Sequence, residues 1–172
     1  LAPMNRGSCG TVNLNRALQE VLNPGEKPSF RTGDRTFKLG DKLMQTTNNY
    51  EKNVFNGDLG RLLQIDDRNR RFSVAFDSAH LVEYTFDEAE QLMNAYAVTV
   101  HKAQGCEFPA VIVPMLSQHF MMLQRNLLYT AMTRARKLLI LIGPYKAVKL
   151  AVENSRQEPR YSQLLARLQA VG

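Results

Sequence analysis

The sequence predicts an α/β protein that is built on a parallel sheet and carries a small inserted β-barrel. Three observations support this class. Residues 1–4 read as the end of a strand and residues 14–22 as a helix, and residues 95–143 alternate again between strand and helix patterns. Between them, residues 28–86 hold short β-prone runs separated by turn residues. The runs AVIV and LLILI are apolar on both faces, as in a parallel sheet covered by helices.

The first helix is predicted from a stripe of apolar residues at positions 14, 17, 18, 21 and 22. This i, i+3, i+4, i+7, i+8 spacing is typical of a helix that buries one apolar face. Asn23-Pro24-Gly25 follows it, and proline cannot continue a helix while glycine accepts the turn. We therefore expect the helix to end at about residue 22.

The inserted unit is assigned to residues 28–90, and residues 1–27 and 91–172 form the surrounding α/β unit. Its β-prone runs are KLMQT, RLLQI, RFSVAF and LVEYTF, separated by Gly40-Asp41, Asn56-Gly57-Asp58 and the turn at 66–69. In RFSVAF the apolar residues alternate, as in a half-buried strand. Four or five short strands in about 60 residues predict a small antiparallel barrel.

The second part of the α/β unit begins with AYAVTV, which predicts a strand. The run AVIVP predicts another strand, RNLLYTAMTRARK a helix and KLLILIG a third strand. A polar break at residues 156–160 precedes a last amphipathic helix, YSQLLARLQ. The first strand and helix are thus separated from the others by the insertion.

The charge is unevenly distributed along the chain, whose net charge is +6. Residues 28–94 hold 9 basic and 11 acidic residues, a net of −2, whereas residues 95–172 hold 10 basic and 3 acidic residues, a net of +7. This asymmetry favours a surface that faces a polyanion. No apolar run approaches the roughly 18 residues of a membrane span, and no secretory signal is visible, so we expect a cytoplasmic protein.

Metal and disulfide sites are not predicted. Cys9 and Cys106 are far apart in sequence and form no CxxC motif, so they are expected to be reduced thiols. His80, His101 and His119 are too scattered for a zinc site. The chain has no initiator methionine and begins inside an element, so we expect it to be a piece of a longer protein.

Polar residues follow two predicted strands at the edge where α/β sheets bind ligands. The first segment contains Asn5 and Arg6, and the second contains His101, Lys102, Gln104, Gly105 and Glu107. Each is either an ordinary polar loop or a ligand-binding loop. A third segment, TAMTRARK, places Arg134 near a helix end, where it either caps the helix or clamps a phosphoryl group.

These segments occur in an order that resembles a known family. APMNRG, NNYEKNVFNGDLGRL, YAVTVHKAQGCEF and LLYTAMTRARKLLIL together resemble the C-terminal part of RecD-like helicases. These are superfamily 1 DNA helicases that include the exodeoxyribonuclease V alpha subunit. TVHKAQGCEF looks like their motif V and YTAMTRAR like their motif VI. The resemblance covers nearly the whole chain and implies a second RecA-like domain with an SH3-like insertion.

The resemblance also implies residue roles. Gly105 and Glu107 would reach the nucleotide, with the carboxylate at the ribose, and Arg134 would contact the γ-phosphate. Thr99 and His101 would lie near the DNA backbone, with Lys102 and Gln104 as neighbours, and Asn5 and Arg6 of motif IV would help to hold DNA. The implied cofactor is ATP with Mg²⁺, and the implied partners are single-stranded DNA, the missing N-terminal RecA-like domain, and other subunits of a helicase–nuclease complex.

The sequence lacks the other half of such a site. None of the ten glycines is followed by lysine, so the GxxxxGK[ST] phosphate loop is missing. Asp87-Glu88 imitates a Walker B pair, but Thr85 or Asp87 is better explained as a helix N-cap. We therefore expect magnesium ligands in the absent domain and no ATP hydrolysis by this chain alone. The helicase part of a conjugative relaxase and a non-catalytic DNA-binding module are alternatives.

Tyr50 and Phe55 have two interpretations within the segment NNYEKNVFNGDLGRL. They are either core residues of the barrel or rings that stack on bases, since aromatic rings stack on bases without sequence preference. Asn56-Gly57-Asp58 behind them predicts a tight turn.

Overall fold

The computed structural model describes residues 1–76, 80–116, 122–155 and 169. The elements in chain order are α1 (Thr11–Leu22), β1 (Ser29–Thr32), β2 (Arg35–Lys38), β3 (Lys42–Gln45), β4 (Leu59–Asp66), β5 (Arg71–Phe76), β6 (His80–Thr85), a 3-10 helix (Asp87–Gln91), β7 (Leu92–Asn94), β8 (Phe108–Pro114), α2 (Arg125–Met132), β9 (Ala135–Ile142) and α3 (Tyr145–Glu153). The last helix predicted, at 161–169, lies outside the described residues apart from Gln169. None of the helices described is long and apolar enough to cross a bilayer.

The insertion consists of antiparallel strands. Four of them, β3 to β6, form one sheet with β7, which follows the insertion, in the order β6-β5-β4-β3-β7, and β1 pairs only with β2 in a separate hairpin. Within the described residues these sheets do not close into a barrel. Six strands lie between residues 28 and 90, so the expected number of four or five was wrong. The sequence pattern did not predict β1 and β2, because each strand has four residues and a single buried side chain.

Aromatic side chains fill the core of the insertion. The rings of Phe30 and Phe86 stack with centroids 4.2 Å apart, and Phe72 stacks on Tyr84 at 5.3 Å. Stacked aromatic pairs add about 0.5–1.5 kcal/mol beyond the apolar area that they bury. Phe30 also packs against Phe72 of β5 with ring centroids 4.8 Å apart, and so attaches the β1–β2 hairpin to the five-stranded sheet.

The parallel sheet of the α/β unit is confirmed. β8 and β9 pair in parallel, and Ala2 forms a parallel bridge with Thr99. The Leu1 nitrogen donates to the Ile112 carbonyl at 2.6 Å, so residues 1–3 lie between β8 and the segment at 98–100. AYAVTV was expected to be a full strand, but only its Thr99 takes part in a bridge.

Two further expectations for this unit were wrong. The predicted helix at 125–137 ends at Met132, because the chain begins to pair with β8 at Ala135. The second correction concerns coverage of the sheet. One face packs against α2 and α3, but Ile112 and Leu138 on the other face are half exposed among the described residues.

The helix α1 occupies the predicted residues but buries an unexpected face. Thr11 and Asn15 are buried, whereas Val21 and Leu22 of the apolar stripe are 73% and 62% exposed. The Asn15 side chain donates to the Ala97 carbonyl and accepts from the Ala97 N–H, both at 2.8 Å. These two bonds satisfy the buried amide, and they fix the polar side of α1 against the backbone at Ala97.

Candidate functional site

The loop at residues 101–107 is a compact turn that presents polar side chains to solvent. The Cys106 N–H donates to the Ala103 carbonyl, and Gly105 has φ +85°, a conformation that suits glycine. His101, Lys102 and Gln104 are exposed. Thr99 is buried, and its hydroxyl accepts the Lys102 N–H at 3.2 Å. Thr99 thus stabilises the conformation of the loop from its buried side.

Arg134 lies in the turn between α2 and β9 and reaches this loop. Its guanidinium donates to the Cys106 carbonyl at 3.1 Å and to the Thr133 hydroxyl at 3.2 Å. The Arg134 carbonyl accepts from the N–H of Phe108 at 2.8 Å. The Arg134 backbone N–H donates to the Ala131 carbonyl of α2 at 3.3 Å, whereas the guanidinium donates to no α2 carbonyl in the described residues, so the side chain does not cap that helix. Its Nε is a buried donor without a protein partner. A buried unsatisfied donor is costly, and an oxygen ligand here would satisfy it.

Glu107 lies on the outer side of the same loop. Its carboxylate accepts from the Arg136 Nε at 2.6 Å, and both side chains are at least half exposed. An exposed ion pair of this kind contributes only about 0–1 kcal/mol, so either group can exchange its partner at little cost. The turn at 133–136 and the loop at 101–107 therefore form one continuous polar surface.

A second group of residues, not predicted from the sequence, faces His101 and Gln104. Gln124 and Asn126 at the start of α2, and Thr130 further along it, line the same cavity of about 200 Å³. Their signal was available, because the helix that follows a parallel strand begins at the strand's carboxyl edge. Val100, Met122 and Leu127 form the apolar part of its lining, and the amide, hydroxyl and imidazole groups of the other residues suit hydrogen bonds to a sugar or a phosphate.

The loop that contains Asn5 and Arg6 lies beside the 101–107 loop, because Ala2 bridges Thr99. The Asn5 side-chain oxygen accepts from the Thr11 hydroxyl at 2.9 Å, and Arg6 is exposed. At Gly10, a Cβ atom would lie 2.4 Å from the Asn5 carbonyl oxygen, so glycine is required for this tight return into α1. The structure thus brings all the loops with predicted site residues to one edge.

Tyr50 and Phe55 are surface residues, and the core interpretation was wrong. They are 77% and 41% exposed, and their rings meet edge to face at 6.0 Å. The predicted turn behind them is confirmed, since the Asp58 N–H donates to the Phe55 carbonyl at 3.0 Å. A Cβ on Gly57 would lie 3.9 Å from the Cys106 sulfur, so this turn lies against the 101–107 loop.

The Asp87-Glu88 pair has a structural role. Thr85 and Glu88 exchange side-chain-to-backbone hydrogen bonds, the pattern of a capping box. Glu88 also accepts from Lys52 at 2.7 Å. Although burial raises the pKa of Glu88, the bonds from Lys52 and Thr85 outweigh it and lower that pKa. Thr85, rather than Asp87, is therefore the capping residue.

Two family models match the chain. Residues 14–76 match the SH3 domain of ATP-dependent RecD-like DNA helicases, and residues 94–142 match the UvrD-like helicase C-terminal domain. The insertion is therefore SH3-like, although its strands are not closed into a barrel in the described residues.

Curated relatives match over almost the whole chain. The ATP-dependent RecD2 DNA helicase of Deinococcus radiodurans is 40% identical over 99% of this chain and 23% of its own length. The RecBCD enzyme subunit RecD of Mycolicibacterium smegmatis is 31% identical over 100% of this chain and 29% of its own length. The chain thus spans about a quarter of the length of these relatives.

Solved structures support the fold. The chain is similar to Bacteroides Pif1 helicase in complex with ADP-AlF3 and single-stranded DNA, with a TM-score of 0.61 and 17% identity over 99% of this chain and 44% of that one. A second Bacteroides Pif1 structure bound to single-stranded DNA has a TM-score of 0.58 and 18% identity over 93% of this chain and 43% of that one. The predicted class, a RecA-like α/β domain with an SH3-like insertion, is confirmed.

Proposed function

Because the chain belongs to the family of RecD-like DNA helicases, we propose that it is the second motor domain of an ATP-dependent 5′–3′ DNA helicase. Residues 1–27 and 91–172 form the RecA-like domain, and residues 28–90 form the SH3-like insertion. The observation that carries the proposal is the contact of Arg134 with the Cys106 carbonyl, which joins two sequence motifs separated by 28 positions. The missing N-terminal domain supplies the rest of the ATP site.

The nucleotide half of the site consists of Gly105, Glu107 and Arg134. The unpartnered Arg134 Nε and the open space next to Gly105 fit an oxygen-rich ligand. In the closed enzyme, the Arg134 guanidinium stabilises negative charge that develops on the γ-phosphate, and Glu107 accepts from a ribose hydroxyl after it leaves Arg136. Ligands of the other domain would hold Mg²⁺, which would supply positive charge next to the phosphates of ATP. The chain alone does not hydrolyse ATP.

The DNA half of the site consists of the loops that contain Asn5, Arg6, His101, Lys102 and Gln104. Arg6 and Lys102 attract phosphates, and the side chains of Asn5, His101 and Gln104 supply hydrogen bonds at the same edge. Thr99 acts through the loop, because its hydroxyl holds the Lys102 N–H. Binding is largely indifferent to base sequence and weakens with added salt. In proteins assembled like the RecBCD enzyme, further subunits are expected partners.

The test is ATP hydrolysis by the whole protein, with and without single-stranded DNA. Replacing Arg134 with alanine is expected to lower DNA-stimulated turnover by about 10³-fold, the effect of losing an arginine that stabilises phosphoryl transfer. Lys137→Ala is the control, because Lys137 is exposed, carries the same charge and lies three residues away. Hydrolysis that survives Arg134→Ala, or falls equally in Lys137→Ala, refutes the proposal.

A further inference from the structure

A cleft beside the predicted DNA loops carries a positive charge that the proposed function does not use. We propose that this arginine cleft, lined by Arg16, Arg31 and Arg35, binds the phosphodiester backbone of a single strand that continues from Lys102. The inference rests on the proposed function, and it extends the strand's path from the RecA-like domain onto the SH3-like insertion. Its ligand chemistry is the phosphodiester, which DNA and RNA share.

The cleft lies between α1 and the β1–β2 hairpin and has a volume of about 580 Å³. Arg16 comes from α1, Arg31 from β1 and Arg35 from β2, so three separate elements contribute a guanidinium each. One carboxylate, Asp34, also lines it. The walls therefore carry an excess of positive charge, and guanidinium groups suit phosphate because each presents several N–H donors in a fixed plane.

No ion pair neutralises these charges in the part of the chain that the structure describes. The ion pairs found in the described part of the chain involve other residues than the three arginines of the cleft. Arg31 donates to the Gly33 carbonyl at 3.1 Å, and Arg35 donates to the Leu92 carbonyl at 2.6 Å. Each of these bonds uses one nitrogen and fixes the side chain. The remaining N–H groups are available to a ligand.

The cleft is continuous with both DNA loops. Met93 lines it, and the Lys102 ammonium contacts the Met93 sulfur at 3.4 Å. Partial burial and then the positive charge of Arg35 lower the pKa of Lys102, so the two cations repel each other. A phosphate between them removes this repulsion. At the other end, Thr11 lines the cleft and donates to Asn5.

The experiment measures the affinity of the whole protein for oligo(dT) and oligo(rU) of about 16 nucleotides as salt is varied. The double variant Arg16→Gln/Arg31→Gln removes two contacts. Affinity for a single strand falls with a log–log salt slope of about −0.7 per neutralised phosphate. The variant should therefore lower the magnitude of the slope by about 1.4 and weaken binding about 25-fold at 0.1 M salt.

The matched control is Lys146→Gln/Lys149→Gln, which removes two exposed positive charges from α3. An equal loss in both double variants, or an unchanged slope in the arginine variant, overturns the proposal, because a general field effect then explains the binding. Oligomers of about 4 nucleotides should bind wild type and the arginine variant alike if they fill only the 101–107 loop. An equal loss with oligo(dT) and with oligo(rU) supports a backbone site.

A Lys102→Gln variant separates this inference from the proposed function. If Lys102→Gln binds the strand more weakly and the arginine variant binds it normally, the DNA-binding role of the loops stands and the proposed role of the arginine cleft is refuted. Wild-type protein that binds no single strand refutes both. A thermal unfolding curve for each variant identifies losses that come from misfolding.

Discussion

Asp41 offers the sharpest test of how the insertion is joined to α1. Its side chain is fully buried and accepts four hydrogen bonds. Gln19 of α1 and Asn23, which follows the helix end, donate at 2.5 and 2.8 Å, the Tyr96 hydroxyl donates at 2.9 Å, and the Lys38 N–H donates at 2.7 Å. One carboxylate of the insertion thus holds the last turn and the C-terminal end of the first helix of the α/β unit.

The expected cost of Asp41→Ala is about 3–5 kcal/mol, the range for removing one partner from a buried charged network. The sum of four charged hydrogen bonds, each about 1.5–3 kcal/mol, overstates this cost because the carboxylate no longer has to be desolvated. Asp41→Asn should cost about half as much. Its amide oxygen can still accept from Asn23 and Tyr96, while its NH₂ group faces the donors of Lys38 and Gln19.

Urea unfolding of the wild type and the two variants measures these free energies. The control is Asp67→Ala in the exposed turn between β4 and β5, where surface substitutions change stability by less than about 0.5 kcal/mol. The order Asp67→Ala, Asp41→Asn, Asp41→Ala is expected for increasing loss. If Asp41→Ala is within about 1 kcal/mol of the control, the four bonds do not hold α1 and the reasoning fails.

Three further predictions concern single groups. Burial and then the bond to Asp41 raise the pKa of Tyr96 from 10.0 to about 12. The stability that the protonated Tyr96 hydroxyl contributes is therefore complete below pH 10 and is lost as the pH rises to 12. Tyr96→Phe should flatten this part of the curve of unfolding free energy against pH, and an unchanged curve contradicts the prediction. Gly10→Ala places its methyl group against the Asn5 carbonyl and should lower stability by about 1–3 kcal/mol and weaken binding of single-stranded DNA, as checked by urea midpoints and fluorescence anisotropy. Gly105→Ala and Gly25→Ala both force alanine to a φ near +85° with open space around it, so each should cost about 1 kcal/mol, but only Gly105→Ala should reduce DNA-stimulated ATP hydrolysis.

The sequence predicted those parts of the fold that depend on local pattern. RFSVAF forms β5 over the predicted residues because strict alternation leaves one register that buries Phe72, Val74 and Phe76. The parallel pairing of β8 and β9 followed from two apolar runs separated by a helix. The β1–β2 hairpin was missed, since the pattern of four residues is too short to outweigh its polar neighbours. Its attachment depends on Phe30 stacking on Phe86, a contact between distant positions.

In the candidate site too, some residues are predicted by local sequence pattern and others depend on contacts between distant positions. Residues at strand ends were identifiable because their polarity interrupts apolar runs, and the loops that contain Asn5 and His101 lie side by side as parallel strands require. Gln124 and Asn126 were missed because a polar residue at a helix start is ordinary in sequence. Their significance comes from facing His101 across a cavity.

The helix α1 explains why periodicity alone gave the wrong buried face. Its sequence carries two rows, one apolar with Leu18 and Leu22, and one polar with Asn15, Gln19 and Asn23. Burial of the apolar row would stabilise the folded state by about 25 cal/mol for each Å² of apolar surface removed from water. The polar row instead meets Ala97 and Asp41, which satisfy its amides in geometry that apolar side chains cannot match. This choice turns Arg16, next to Asn15, toward the β1–β2 hairpin and so creates the arginine cleft. The charge of the cleft is therefore a consequence of the polar joint between α1 and the insertion, and disrupting Asp41 should weaken both.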